Sequence, residues 1–199
     1  MQIYTCGIGT DVGKTHFSAL FCHLFGYHYF KLIQAGTPKD SDFAEKLIPK
    51  ERILGEGFLL QTPASPHIGK RLENASYRAF DLAIPQTTNL IIELAGGLFT
   101  PLDEQYTMID FMTHWKKPAI LVAKNYLGAI NHTLLSIQAL QSCEIPLLTL
   151  VCMGKEERDF NDFICDYTGI MPLNLDFYDA QKIRDDQIFI QKMSKILES

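Results

Sequence analysis

A chain of 199 residues, 47% apolar and 21% charged, is ordinary for a globular protein and long enough to bury a sizeable core in one α/β domain. Its formal net charge of −5 argues against a general nucleic-acid binder, which would carry an excess of Lys and Arg. No apolar stretch approaches the roughly 18 residues of a membrane span, and no signal peptide is evident. The five cysteines lack C-x-x-C or metal-type spacing, so a cytoplasmic protein with buried, reduced thiols is expected.

Ile3–Cys6 reads as a first strand. It runs into Gly7-Ile8-Gly9-Thr10-Asp11-Val12-Gly13-Lys14-Thr15, and Thr15–Phe25 then places Phe17, Leu20, Phe21, Leu24 and Phe25 on one helical face. Strand, glycine loop and helix in that order are the context of a phosphate-binding P-loop. Glycines let backbone N–H groups converge on phosphate oxygens, Lys14 supplies a point charge, and Thr15 a hydroxyl for Mg²⁺. The helix directs its positive dipole end at the same anion. The common pattern has its first glycine where Ile8 stands; here Gly7 opens a longer loop.

Gly26 ends the helix, and Tyr29–Ile33 reads as the second strand. Lys31 lies inside it, which is costly unless an anion or carboxylate pairs with the ammonium; the bland alternative is an edge lysine facing solvent. Asp40-Ser41-Asp42 follows, and Asp42 is either a metal ligand or a helix N-cap for Asp42–Leu47. Residues 49–77 carry scattered Pro and Gly and show no regular period. Arg78–Ile84 reads as helical, stopped by Pro85. Leu90–Leu94 is a buried strand carrying Glu93, which serves either as a carboxylate for Mg²⁺ or as a cap after the strand. Met108–Trp115 and Ile130–Ser142 read as helices, and Ala119–Ala123 and Leu147–Cys152 as buried strands. A helix near Asp159–Tyr167, a short run Ile170–Leu173 and a terminal helix Ala180–Leu197 complete the series. Continuous apolar strands alternating with helices predict a doubly wound, mostly parallel sheet with helices on both faces, P-loop NTPase-like, in a single domain. Free N–H groups of Gly128 to Asn131, at a helix start, offer an anion site, and His132 reads as a capping or core histidine.

In order and spacing, G-I-G-T-D-V-G-K-T, K-L-I-Q-A-G, D-S-D, A-S-P-H-I, E-L-A-G-G-L-F-T-P-L and N-Y-L-G-A-I-N-H-T-L-L resemble the dethiobiotin synthetase family from Gly7 to about Leu150. That family uses the longer P-loop. The resemblance implies a homodimeric ligase that uses ATP and Mg²⁺ to carboxylate 7,8-diaminopelargonic acid with CO₂ and close the cyclic urea of dethiobiotin. By motif, Gly9, Thr10, Asp11, Val12, Gly13, Lys14 and Thr15 would bind nucleotide, with Met153 at the base. Lys31, Lys14 and Thr10 would serve catalysis, and Thr15, Asp42 and Glu93 would hold Mg²⁺. Lys31, Ala35 and Gly96 would meet the substrate. Its carboxylate tail would reach Gly128, Ala129, Ile130 and Asn131, supplied by the partner subunit.

Three departures stand out. Leu32 replaces the proline that usually follows the second-strand lysine, and Ala35 replaces a hydroxyl residue. Met153 stands where an asparagine usually reads adenine, and a thioether cannot make an amide's paired hydrogen bonds, so base selectivity is expected to relax. Other readings of the same motifs are an amidoligase-like ATPase, a nucleotide-dependent switch ATPase, and a relative that binds nucleotide without turnover. The first lacks its glutaminase-type domain here. The second would carry an extra loop lysine where this chain has Gly9.

Overall fold

The first two strands are consecutive in sequence but are not neighbours in space. In the computed structural model, which describes residues 1–178 and 187–198, β1 (Gln2–Gly7) and β2 (His28–Ala35) are separated by β4 (Leu90–Glu93). With β3 (Ile53–Leu60), β5 (Ala119–Lys124), β6 (Leu147–Met153) and β7 (Leu173–Leu175) they form one sheet ordered β3-β2-β4-β1-β5-β6-β7. Every pairing is parallel. The central strands are mostly apolar and almost entirely buried, as strands covered on both faces must be, and β4 ends in the buried acid Glu93.

From β1 the chain steps to one side through α1 (Lys14–Phe25) to β2. From β5 it steps to the other side through α5 (Ala129–Ser142) to β6. Right-handed crossovers then put α1 and α5 on opposite faces. The reversal occurs beside β1, so a crevice at its carboxyl end is where this architecture receives ligands.

Helix α1 starts and stops at glycines in the left-handed region, Gly13 (φ 97°) and Gly26 (φ 71°). Its buried face carries Phe17, Leu20 and Phe21 onto the sheet, and each fully buried aromatic of this kind stabilises the fold by about 1.5–3 kcal/mol. α4 (Met108–Trp115) begins with a capping box in which Asp110 Oδ2 accepts the Thr107 N–H at 2.7 Å.

The structure differs from the sequence expectation at several elements. Residues 49–77 hold a strand, β3, and a helix, α3 (Pro66–Leu72). Arg78–Ile84 forms only a 3₁₀ turn at Ala79–Asp81, because Asp103 Oδ2 takes the Ala79 N–H at 2.7 Å and fixes an extended approach. The second helix, α2, runs Asp40–Ala44 rather than from Asp42. The seventh strand begins at Leu173, where Ile170 was expected to open it. α6 (Arg158–Thr168) matches its expected place within a residue or two, and α7 is described over Gln187–Glu198. The part of the expected terminal helix at 180–186 lies outside the described residues.

Candidate active site

Strand register carries the functional side chains to one edge. Thr5 and Lys31 both pair with Glu93 across β4, so the loop after β1, the lysine of β2 and the acid ending β4 sit side by side. A cleft of about 1150 Å³ opens along this carboxyl edge.

Glu93 is the hub. It is fully buried, and its two oxygens accept three hydrogen bonds: Oε1 from Thr15 Oγ1 at 2.8 Å and Lys31 Nζ at 2.8 Å, and Oε2 from the Tyr29 hydroxyl at 3.2 Å. Lys31 also pairs with Asp40 and approaches the Leu94 carbonyl at 3.5 Å. Burial alone would push the Lys31 ammonium toward neutrality, but Glu93 and Asp40 outweigh it and hold its pKa above the ordinary lysine value. Asp40 is held below the usual carboxylate range: burial opposes this, and the Lys31 ammonium, aided by the Thr15 hydroxyl, prevails. Tyr29 is raised well above a free tyrosine, by burial first and then by Glu93 and Asp40, so its hydroxyl stays a donor.

Lys14 is 7% exposed and donates to Gly9 O at 2.8 Å, inside the curl of the loop. Burial, helped by the nearby Lys31 charge, lowers its pKa to about 8 despite Glu93 and Asp40. Two lysines a short way apart therefore have opposite tendencies: Lys31 is neutralised by carboxylates, whereas Lys14 is short of anions. A polyphosphate supplies what Lys14 lacks.

Glycines permit the loop to close. Gly97 packs on Gly9, with an added Cβ meeting Gly9 Cα at 3.5 Å, so the Gly96-Gly97 turn forms the loop's other wall. Its shape is set by the Gly97 N–H, which donates to Thr100 Oγ1 at 2.9 Å.

The expected residues sort into three groups. Thr10, Asp11, Gly13, Lys14, Thr15, Lys31, Ala35, Glu93 and Gly96 all line the cleft. Gly9 and Val12 shape the loop from behind, Val12 being buried. Met153, Asp42 and Gly128–Asn131 are not among the lining residues. Met153 is 1% exposed and packs beneath Gly13, so its thioether does not face the cleft. Asp42 is exposed and accepts the Lys39 N–H at 3.2 Å as the box that starts α2; Asp40, two residues earlier, is the acid turned toward Lys31. Gly128 and Asn131 stand exposed at the start of α5, while His132, Leu135 and Ser136 of that helix reach the cleft. His132 Nδ1 lies 2.8 Å from the Tyr126 hydroxyl.

The sequence reading passed over Asp40, Tyr29, Gln34, His16 and Phe177. The D-S-D triplet offered both acids, and only the turn of a five-residue helix selects between them. Gln34 accepts the Asp40 N–H at 3.1 Å and donates to Gly36 O at 3.0 Å, which fixes Asp40 in place.

A family profile described as an AAA domain matches residues 1–174. An ATP-dependent dethiobiotin synthetase BioD of Campylobacter jejuni subsp. jejuni serotype O:23/36 (strain 81-176) is 58% identical over 198 residues, covering 100% of this chain and 98% of that protein. The chain belongs to the dethiobiotin synthetase family. Another member, from Brucella ovis, is 41% identical over 163 residues, covering 79% of this chain and 77% of its own. Among solved structures, a putative plasmid partition protein from Borrelia burgdorferi B31 bound to AMPPNP superposes with a TM-score of 0.54 at 11% identity, covering 99% of this chain and 96% of that one. That likeness supports the P-loop NTPase-like α/β fold alone. Family membership excludes the switch-ATPase reading as the primary one. Within the dethiobiotin synthetase frame, the longer glycine loop and the Lys31–Glu93 pair are the parts that this geometry brings together.

Proposed function

We propose that the protein is an ATP-dependent ligase that makes dethiobiotin from 7,8-diaminopelargonic acid and CO₂, and that it acts in the cytoplasm, where its five free cysteines stay reduced. One observation carries the reading: the P-loop threonine and a permanently charged lysine converge on one buried carboxylate. One substrate amine captures CO₂ as a carbamate. A carbamate oxygen then takes the γ-phosphoryl group of ATP, releasing ADP, and the second amine attacks the resulting mixed anhydride at its carbonyl carbon and expels phosphate.

Loop N–H groups and Lys14 bind and orient the polyphosphate. Lys31 places positive charge beside the carbamate and the moving phosphoryl group. Because its pKa is raised, Lys31 acts by charge and orientation rather than by taking a proton. Nothing covalent is asked of the protein; positioning and charge are.

Among the described residues no group of three or more His, Cys, Asp or Glu could hold a metal unaided. Mg²⁺ at a nucleotide needs no such cage, because it keeps waters and takes phosphate oxygens with one or two carboxylates. Thr15, Glu93 and Asp40 fit that demand, hard oxygens grouped beside the loop, and the ion would neutralise phosphate charge there.

The enzyme works as a homodimer. Leu127 is fully exposed just before α5, Tyr126 and Leu135 are exposed beside it, and Phe99 is 67% exposed at the cleft rim. A second copy covering these residues brings the start of its α5 to the substrate's carboxylate tail, an anion at a positive dipole end.

The deciding assay incubates the protein with the diamine, bicarbonate, Mg²⁺ and ATP, and measures dethiobiotin by mass. ATP hydrolysis without dethiobiotin, or independent of the diamine, overturns the assignment.

A further inference from the structure

We infer that the nucleotide base lies on the ring of Phe177 and is recognised there by stacking, so that base identity matters little; this rests on the reading of the cleft as a triphosphate site. A triphosphate seated against Lys14 and Thr15 projects its nucleoside past the start of α1, away from Lys31. Among the described residues lining the cleft, His16 and Lys124 gather around Phe177, which packs on Gly13 just before α1.

Phe177 is 42% exposed yet firmly seated. A Cβ on Gly13 would stand 3.1 Å from its Cε1, and one on Gly154 would stand 3.7 Å from its Cε2. The His16 ring meets it edge-on at 5.1 Å, and His16 is itself held against Phe43 at 4.4 Å. Tyr178 locks the same corner by donating to His16 O at 2.6 Å. The Lys124 ammonium stands 5.5 Å from the Phe177 centroid, a flexible cation on the π-face that a base can replace.

The described side chains gathered at this corner are aromatic and cationic, Phe177, His16 and Lys124. Met153 is buried beneath Gly13. Among the described residues lining the cleft the one side-chain amide is that of Gln34, which is engaged with Gly36 O and the Asp40 N–H near Lys31. Stacking on a fixed aromatic face tolerates any base, because every base has a π-face.

The test is calorimetric titration of the full chain with the β,γ-imido triphosphates of adenosine, guanosine and cytidine, and with inorganic tripolyphosphate. Wild type is expected to bind the three nucleotides within about tenfold of one another. Phe177→Leu keeps the apolar volume but removes the π-face, and should weaken all three by about 5- to 100-fold while leaving tripolyphosphate unchanged. Phe177→Tyr should restore them. A wild-type preference above about 100-fold for one base, or a Leu variant with unaltered nucleotide affinity, overturns the proposal. Failure of wild type to bind even tripolyphosphate would instead sink the triphosphate-site reading beneath it.

Discussion

Thr15 and Lys31 donate to the same oxygen: each lies 2.8 Å from Glu93 Oε1. One belongs to the phosphate loop and the other to the strand beyond β4. Their shared acceptor ties the loop after β1 and the middle of β2 into one charge network.

Lys31→Met separates the two ends. Nucleotide affinity should stay within about threefold of wild type, while kcat for dethiobiotin falls about 100- to 1000-fold, the usual loss for one transition-state donor. Glu93 and Asp40 lose their cation, and a buried pair broken on one side costs about 3–5 kcal/mol. Urea unfolding with and without Mg²⁺ checks this, with part of the loss recovered when the divalent ion is present. A variant that binds no nucleotide would show that Lys31 belongs to the phosphate site.

Asp40 and Asp42 are distinguished by titration. Asp40→Asn should raise the Mg²⁺ concentration needed for half-maximal turnover and weaken the hold on Lys31. Asp42→Asn should leave that titration unchanged and cost about 0.5–1 kcal/mol of stability through the helix start it supports. The reverse pattern would return the metal role to Asp42.

Binding should carry a proton. Lys14 has a pKa near 8 before ligand arrives, and a polyphosphate at its ammonium raises it. At pH 8 nucleotide binding should therefore take up about half a proton, shown by calorimetry in buffers of different ionisation enthalpy. Lys14→Met should show no uptake and should lose nucleotide-dependent turnover.

The same lysine sets a stability trend. Its folded pKa lies below its unfolded value of 10.5, so the folded state binds fewer protons between about pH 8 and 10.5. The cost of burying its charge is present below that window and is relieved as pH rises through it. Lys31 has the opposite sign: its contribution is complete below its unfolded pKa and disappears above the raised folded one. Denaturant unfolding of wild type against Lys14→Met, from pH 7 to 10, isolates the first effect. Wild type should gain relative to the variant as pH rises.

The apolar rim is tested by Leu127→Asp, which alters a fully exposed side chain and should leave folding intact. Sedimentation is expected to show monomer where wild type shows dimer, with KM for the diamine raised and nucleotide affinity retained.

Local residue patterns announced the phosphate loop, the lysine within β2 and the acid of β4, because each breaks an apolar strand at its end or centre. β3 escaped notice because Gly55 and Gly57 interrupt its apolar run and it lies at the sheet edge, half exposed. Gly57 is demanded there by Leu32 O, which an added Cβ would approach to 2.5 Å, a contact 25 residues away in the chain. α3 hid among prolines, though Pro66 sits at its first turn where proline is welcome. Phe177 against Gly13 joins chain positions with no local sign of one another, so that aromatic corner needed three dimensions to be seen.

Strand order has a consequence for synthesis on the ribosome. A nascent chain that ends before Leu90 already contains both lysines, yet lacks the carboxylate strand that separates β1 from β2. Until β4 slides into that gap, Lys31 lacks its Glu93 partner and the two halves of the sheet have no shared ladder. Thr15 and Lys31 therefore meet on one carboxylate only in chains where that insertion is finished.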